Sequence, residues 1–212
     1  ALGGGHAAQM LLSGLRVDPE LTRRVLGIVN YTMVVASHGQ TYDILYSRPG
    51  ARPSGTDLER MQYWKTAEYT FLNPLCVGMV LTGAPCEDTN AIREYALQAG
   101  RAFQIMDDIQ DVFGDAVASG KESGGDIREG KATLLTAYAL EHATAADRAF
   151  LVQALGKRDL TVAELERCQS IMKACGAHRH AFAAAKRHVA AARRSLKTVE
   201  RPWNPAQVAF LD

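Results

Sequence analysis

The sequence predicts an all-α protein organised as a single domain. Three observations carry that prediction. Apolar residues recur at helical spacing almost throughout, no run alternates apolar and polar residues as a half-buried strand would, and Gly/Pro-rich punctuation cuts the chain into helix-sized pieces. At 212 residues the chain is one domain's worth and can bury a sizeable core.

The elements follow in order. Asp18 is a good N-cap with Pro19 at the first helical position, and a long helix is expected from about Glu20 to Tyr46, with Leu21, Val25, Ile28, Val29, Thr32 and Val35 on its apolar face. Ser47 to Thr56 is rich in Pro, Gly and Ser and reads as a loop. Thr56 or Asp57 should cap the next helix, which Asn73-Pro74 should kink or break. Gly83-Ala84-Pro85 marks a turn, and a helix from about Thr89 to Phe113 follows. Ala116 to Gly130 reads as a Gly-rich loop, and further helices are expected over Lys131–His142, Ala145–Leu155, Val162–Cys175 and His180–Val199.

Charge and composition exclude several classes. A net charge of +1 provides no long-range field for nucleic acid. The basic residues from Arg179 to Lys197 lie opposite an apolar stripe of Phe182, Val189, Leu196 and Val199, which reads as an amphipathic terminal helix. His178, His180 and His188 lack acidic or Cys partners at ligand spacing and read as solvated surface. Cys76, Cys86, Cys168 and Cys175 form no ligand pattern and read as reduced thiols of a cytoplasmic protein, Cys76 in the core. The longest apolar run, around Cys76–Leu81, is far short of a membrane span, and no signal peptide is recognised.

Residues 103–133 carry the chemistry. Asp107, Asp108 and Asp111 spell D-D-x-x-D, and at about 100° per residue positions i, i+1 and i+4 share one side of a helix. Three converging carboxylates repel one another unless a divalent cation neutralises them, and hard oxygen ligands suit Mg²⁺. The bland reading of such a run is a solvated acidic face. Phe103, Ile105, Met106, Val112 and Phe113 argue against it, because they make the surrounding helix apolar and core-facing. Gly120-Lys121 and Gly130-Lys131 would singly be ordinary helix ends. Beside the aspartates they describe a diphosphate site.

This segment closely resembles the second aspartate-rich region of the trans-isoprenyl diphosphate synthases, the polyprenyl synthetase family. The family pattern reads F-Q-[IL]-x-D-D-x-x-D, then G-K-x-x-G-x-D-[IL]-x-E-G-K-x-T. The chain matches it at Phe103, Gln104, Ile105, Asp107, Asp108, Asp111, Gly120, Lys121, Gly124, Asp126, Ile127, Glu129, Gly130, Lys131 and Thr133. Upstream, Gly39-Gln40 with Asp43 resembles the family's G-Q-x-x-D. Lys65-Thr66-Ala67, Tyr69-Thr70-Phe71, Pro74-Leu75 and Gly78 resemble its K-T-A helix.

The resemblance implies an isoprenoid-synthase-type helical bundle around a central cavity, spanning residues 1–212, and an Mg²⁺-dependent prenyltransferase. Its substrates would be isopentenyl diphosphate and an allylic prenyl diphosphate. Asp107, Asp108 and Asp111 would hold Mg²⁺, with Asp126 acting through water or as a helix cap. Lys65, Lys121 and Lys131 would contact diphosphate oxygens, Thr66 and Gln40 would sit near the allylic carbon and the departing oxygen, and Gln104 would contact the diphosphate or its water shell. A homodimer is implied by the family alone. Asp43 reads either as a site-facing carboxylate or as a surface acid. Tyr31, Met33 and Tyr42 read as core, with cavity wall or dimer interface as alternatives; Trp64 reads as core beside the site, and Trp203 as an anchor of the C-terminal tail.

One departure from the family pattern shapes the expectation. No second D-D-x-x-D is present, and Gly5-His6 stands where the family often has Gly-Asp shortly after its first motif. The chain is therefore expected to correspond to the C-terminal two-thirds of an enzyme, without the N-terminal helices, and to be inactive alone. A non-catalytic partner subunit of a heteromeric synthase is the alternative class, and a terpene cyclase of the same fold is a further one. The cyclases usually carry an Asn/Asp-Ser/Thr-Glu triad, whose spacing is absent here.

Overall fold

The computed structural model describes residues 9–14, 16, 18–48, 50, 51, 53–83, 89–114 and 123–198. Gly5-His6, Cys86, Gly120-Lys121 and Trp203 lie outside the described residues. Among the described residues every regular element is helical, as the sequence predicts.

Helix α1 spans Pro19–Tyr46, and the Asp18 carboxylate accepts from the Glu20 N–H at its start. Helix α2 spans Gly55–Gln62 and is capped by Ser54, not by Thr56 or Asp57. Asp57 instead completes a reciprocal box: it donates its N–H to the Ser54 hydroxyl, and its carboxylate accepts from the Ser54 N–H. The chain then winds as a π-helix over Tyr63–Leu72 and returns to α-winding as α3, Asn73–Thr82. Gln62, Tyr63, Leu72 and Asn73 all keep right-handed helical angles, so of the kink or break expected at Asn73-Pro74 the break does not occur. The wider winding, with the Asn73 N–H bonded to Glu68 O, makes room for the proline where an α-turn would clash with its ring.

Helix α4 spans Thr89–Phe113. A five-residue helix, α5 (Gly125–Glu129), interrupts what the sequence read as loop. Helices α6 (Leu134–His142), α7 (Ala145–Ala154), α8 (Val162–Ala174) and α9 (Ala177–Leu196) complete the chain. Thr133, Thr144 and Thr161 cap α6, α7 and α8 through their hydroxyls.

The core lies where α4 meets α5 to α9: Ile105, Ile109, Val112, Ile127, Leu135, Leu151, Cys168 and Met172 are buried together. Cys168, fully enclosed, is the core thiol, whereas Cys76 is half-buried. A stripe of alanines (Ala177, Ala181, Ala184, Ala185 and Ala192) lets α9 lie close against the core. Tyr31 and Met33 are exposed on α1, not core, because no described element covers that face. Tyr42 and Trp64 pack on each other at 5.4 Å. Among the described residues no helix is long and apolar enough to cross a membrane.

Two glycines fix the centre of the fold. A Cβ on Gly39 of α1 would strike the Lys65 amide nitrogen and sit 2.6 Å from Lys65 Cα and 2.7 Å from the Trp64 carbonyl carbon. A Cβ on Gly100 of α4 would sit 2.5 Å from Ala67 Cα. The π-helical segment is thus gripped from two sides, backbone against backbone, on either side of Thr66.

Candidate functional site at the aspartate-rich helix

The grip of Gly39 and Gly100 decides what Lys65 and Thr66 meet. Lys65 reaches α1, where its Nζ lies 2.6 Å from Asp43 Oδ2. Asp43 is buried, so the ammonium supplies the counter-charge that a buried carboxylate requires. The surface-acid alternative for Asp43 is thereby ruled out. Gln40, exposed one turn earlier, approaches the same carboxylate oxygen at 3.4 Å. Thr66 turns the other way and donates to Gln104 Oε1 at 2.6 Å, and the Gln104 amide donates to Asp108 Oδ1 at 2.8 Å. A continuous chain of hydrogen bonds therefore joins the π-helical segment to the D-D-x-x-D run.

The three aspartates of that run occupy three different environments. Asp107 is exposed. Asp108 is buried, and its Oδ2 has no hydrogen-bond partner. Burial pushes its carboxyl up to about 7; the charges of Asp126 and Asp107 add to the rise, and the Gln104 bond and Lys131 partly offset it. Asp111 is half-buried, and its Oδ2 accepts from the Asp126 N–H at 2.8 Å. Among the described residues no three carboxylate, His or Cys groups stand close enough to enclose a metal ion. The convergence expected from helical spacing is therefore incomplete in this structure. The physical reason is local: Asp108 is drawn inward by Gln104, and Asp111 holds the start of α5.

Helix α5 brings the second half of the site to α4. The Gly124 N–H donates to Asp111 O at 2.7 Å, and Gly124 and Gly130 sit at φ +82° and +69°, left-handed at each end of the five-residue helix. Only glycine adopts that geometry without strain, which explains two glycines of the motif. Asp126 projects from this helix with its side chain 7% exposed, and Lys131 Nζ contacts its Oδ1 at 2.5 Å. Glu129, on the solvent side, lies 3.3 Å from the same ammonium. Burial raises the Asp126 carboxyl pKa, and the Lys131 bond and charge oppose the rise. Burial works against the Lys131 ammonium too, but Asp126 and Glu129 outweigh it and hold its pKa above the ordinary value. Asp126 is thus an ion-pair partner, and the helix-cap alternative does not apply.

The structure links Thr66, Gln104 and Asp108 in one chain and Asp111, Asp126 and Lys131 in another, with Asp107 exposed beside them, while Lys65 pairs with Asp43 on α1, where Gln40 approaches the same carboxylate. Lys121 falls outside the described residues. Sequence reasoning missed that Thr66 and Gln104, 38 positions apart, are direct partners. It also missed Glu68, buried in the π-helical segment with Oε2 unpartnered. No α-periodic pattern could have flagged that burial, because the winding there is not α. The three histidines do not assemble: His178 meets Phe113 edge-on, His180 stacks on Tyr138, and His188 bonds Gln98. A groove of ≈ 660 Å³ among the described residues is lined by Met106, by α9 and by Lys197, and by none of the site residues.

Comparison with known proteins agrees with this geometry. The family model described as polyprenyl synthetase matches residues 6–172. A short chain isoprenyl diphosphate synthase of Methanothermobacter thermautotrophicus is 34% identical over 187 residues, covering 86% of this chain and 55% of that protein. A geranylfarnesyl diphosphate synthase of Aeropyrum pernix is 32% identical over 180 residues, 85% of this chain and 55% of that one. Among solved structures, geranylgeranyl pyrophosphate synthase of Corynebacterium glutamicum, complexed with isoprenyl diphosphate and magnesium, superposes with a TM-score of 0.85 at 27% identity, covering 92% of this chain and 54% of that one. The chain spans about half the length of the curated relatives it matches. With a match over most of its length, and with the motif residues gathered on α1, the π-helical segment, α4 and α5, the chain belongs to the polyprenyl synthetase family.

Proposed function

We propose that this chain works in a trans-prenyltransferase that condenses isopentenyl diphosphate with an allylic diphosphate of geranyl, farnesyl, geranylgeranyl or greater length. One observation carries the reading. Acids on α4 and α5 meet the Lys131 ammonium, and the Thr66–Gln104–Asp108 chain of hydrogen bonds ties them to the segment whose Lys65 is held by Asp43, a donor set suited to a metal-bound diphosphate. The relatives, themselves synthases of isoprenyl and geranylfarnesyl diphosphates, agree with it.

The donor set suits a hard divalent cation. The charges of Asp107 and Asp126 add to the raised pKa of Asp108, those of Asp107 and Asp111 add to that of Asp126, and the buried Asp108 Oδ2 lacks a partner. Asp107, Asp108 and Asp111 would hold Mg²⁺, with Asp126 reaching it through water. Mg²⁺ bound there would neutralise the diphosphate and stabilise the charge that develops as the carbon–oxygen bond breaks.

The chain's own groups do the rest. Lys65 and Lys131, with Lys121, bind diphosphate oxygens as point charges. Thr66 and Gln104 hold each other's orientation; Thr66 and Gln40 would present neutral oxygen dipoles near the allylic carbon and the departing oxygen, and Gln104 would contact the diphosphate or its water shell. None of these is a nucleophile strong enough to trap the cation. The double bond of isopentenyl diphosphate attacks it, and the released diphosphate accepts the proton that is then lost. Residues 1–212 act as one domain. Exposed Tyr31, Val34, Ile44 and Leu45 on α1 and Leu81 on α3 supply an apolar face for a homodimer. The test is an assay of the full protein with isopentenyl diphosphate and each allylic primer, in Mg²⁺ and in chelator, with products read by mass. Mg²⁺-dependent elongation is expected; no elongation with any primer would refute the reading.

A further inference from the structure

Resting on that reading, we propose that the Asp126–Lys131 ion pair is an exchange latch. It keeps both groups neutralised until a divalent cation, reached through water, takes over the charge of the Asp126 carboxylate, and only then is the Lys131 ammonium released to a diphosphate oxygen. Cation and anion binding are thereby coupled through one pair of side chains.

Four observations carry the inference. Asp126 is too buried to stay charged without a partner, and its partner is Lys131 at 2.5 Å. The Asp111 carboxylate is held next to the same helix, its Oδ2 accepting from the Asp126 N–H at 2.8 Å, so departure of Lys131 alone would leave the buried Asp126 carboxylate beside that acid without the ammonium that neutralises it. The backbone cannot move to ease that cost. The Asp126 N–H is tied to Asp111 Oδ2, the Lys131 N–H to Asp126 O, and the helix between them ends at a left-handed glycine on each side. Lys131 has a place to go, because its side chain is 30% exposed and Glu129 already draws it outward at 3.3 Å. Side-chain rotation is thus the available motion, and it is costly unless an incoming cation replaces the ammonium. Coupling between two ligands is reciprocal, and typical values change each affinity by about 5- to 150-fold.

The test avoids mixing metal and diphosphate, which associate in solution. In chelator, affinity for inorganic diphosphate is measured by calorimetry for the wild type, Asp126→Asn and Asp107→Asn. Without anion, Mn²⁺ affinity is measured by electron paramagnetic resonance for the wild type, Lys131→Met, Lys131→Arg and Lys65→Met. Thermal melts confirm that each variant is folded. The latch predicts that Asp126→Asn binds metal-free diphosphate about tenfold more tightly, well beyond the change in Asp107→Asn, which removes equal charge without freeing a lysine. It also predicts that Lys131→Met binds Mn²⁺ about tenfold more tightly, with Lys131→Arg near wild type and Lys65→Met changed far less. Equal effects within each pair would overturn the latch and leave only unspecific electrostatics. Failure of every variant to bind diphosphate, with or without Mg²⁺, would sink the prenyltransferase reading instead, and the Mn²⁺ comparison would still decide the latch.

Discussion

Gly39→Ala tests whether backbone contact, and not side-chain packing, holds Lys65 in place. The new Cβ would strike the Lys65 nitrogen and lie 2.6 Å from Lys65 Cα, whereas ordinary contact begins near 3.4 Å. Since the nearest atoms all belong to the backbone, no rotamer relieves the clash, and α1 and the π-helical segment must separate by at least about 0.8 Å. Overpacking of this kind costs about 1–3 kcal/mol, and the upper end applies where both partners are main chain. Replacing a helical glycine returns about 1 kcal/mol, which leaves a net loss of about 2 kcal/mol. For a chain of this size that lowers the melting temperature by about 4–8 °C. The same separation stretches the 2.6 Å Asp43–Lys65 bridge past good hydrogen-bond geometry, so affinity for Mg²⁺-diphosphate should fall in parallel. Gly27→Ala is the internal control. Gly27 lies on the same helix, and a Cβ added there would meet nothing within 4 Å, so the helix-propensity gain should appear alone as a rise in melting temperature. A Gly39→Ala melt equal to wild type, or to Gly27→Ala, would refute the close-crossing argument.

Three further perturbations test other parts of the site. Asp107→Ala should abolish Mg²⁺-dependent turnover of the full protein while leaving the melting temperature within a degree or two of wild type, because Asp107 is exposed and its removal relieves like-charge repulsion; unchanged turnover would remove it from the metal site. Gly124→Ala forces a side chain to φ +82° with its Cβ 2.6 Å from Leu165 Cδ1; a loss of about 1–2 kcal/mol in urea unfolding is expected, and a neutral result would show that α5 does not depend on that glycine. Asp108 gives a pH dependence. Its pKa rises from 3.8 to about 7 on folding, so the folded state holds this proton more tightly than the unfolded one. Its contribution to stability is full below about pH 3.8 and is lost as pH rises through about 7. In metal-free urea unfolding, Asp108→Asn should therefore gain on wild type between about pH 4 and 7, and a pH-independent difference between the two would contradict the burial argument.

Local chemistry determined much of this protein from its sequence. Asp18-Pro19 and the periodicity of Val25 and Thr32 were enough to place α1, because capping and amphipathic spacing act within a few residues. The D-D-x-x-D run and the Gly-Lys pairs were equally legible, since hard oxygens and ammonium groups state their chemistry wherever they sit. Other features depended on contacts between distant segments. Whether Asp43 faced solvent or the site turned on Gly39 admitting Lys65 to α1, and the Thr66–Gln104–Asp108 chain turned on Gly100 admitting Ala67 to α4. Local rules marked Asn73-Pro74 as a kink or a break but could not show that the chain stays helical there, because the π-winding that accommodates the proline is not part of an α-helical template. Identical aspartates on one helix became an exposed acid, a buried acid and a holder of α5 because their neighbours come from elsewhere in the chain. Residue type therefore dictated which chemistry was present, and tertiary packing decided which charges face each other, since burial and distance set the strength of an electrostatic interaction.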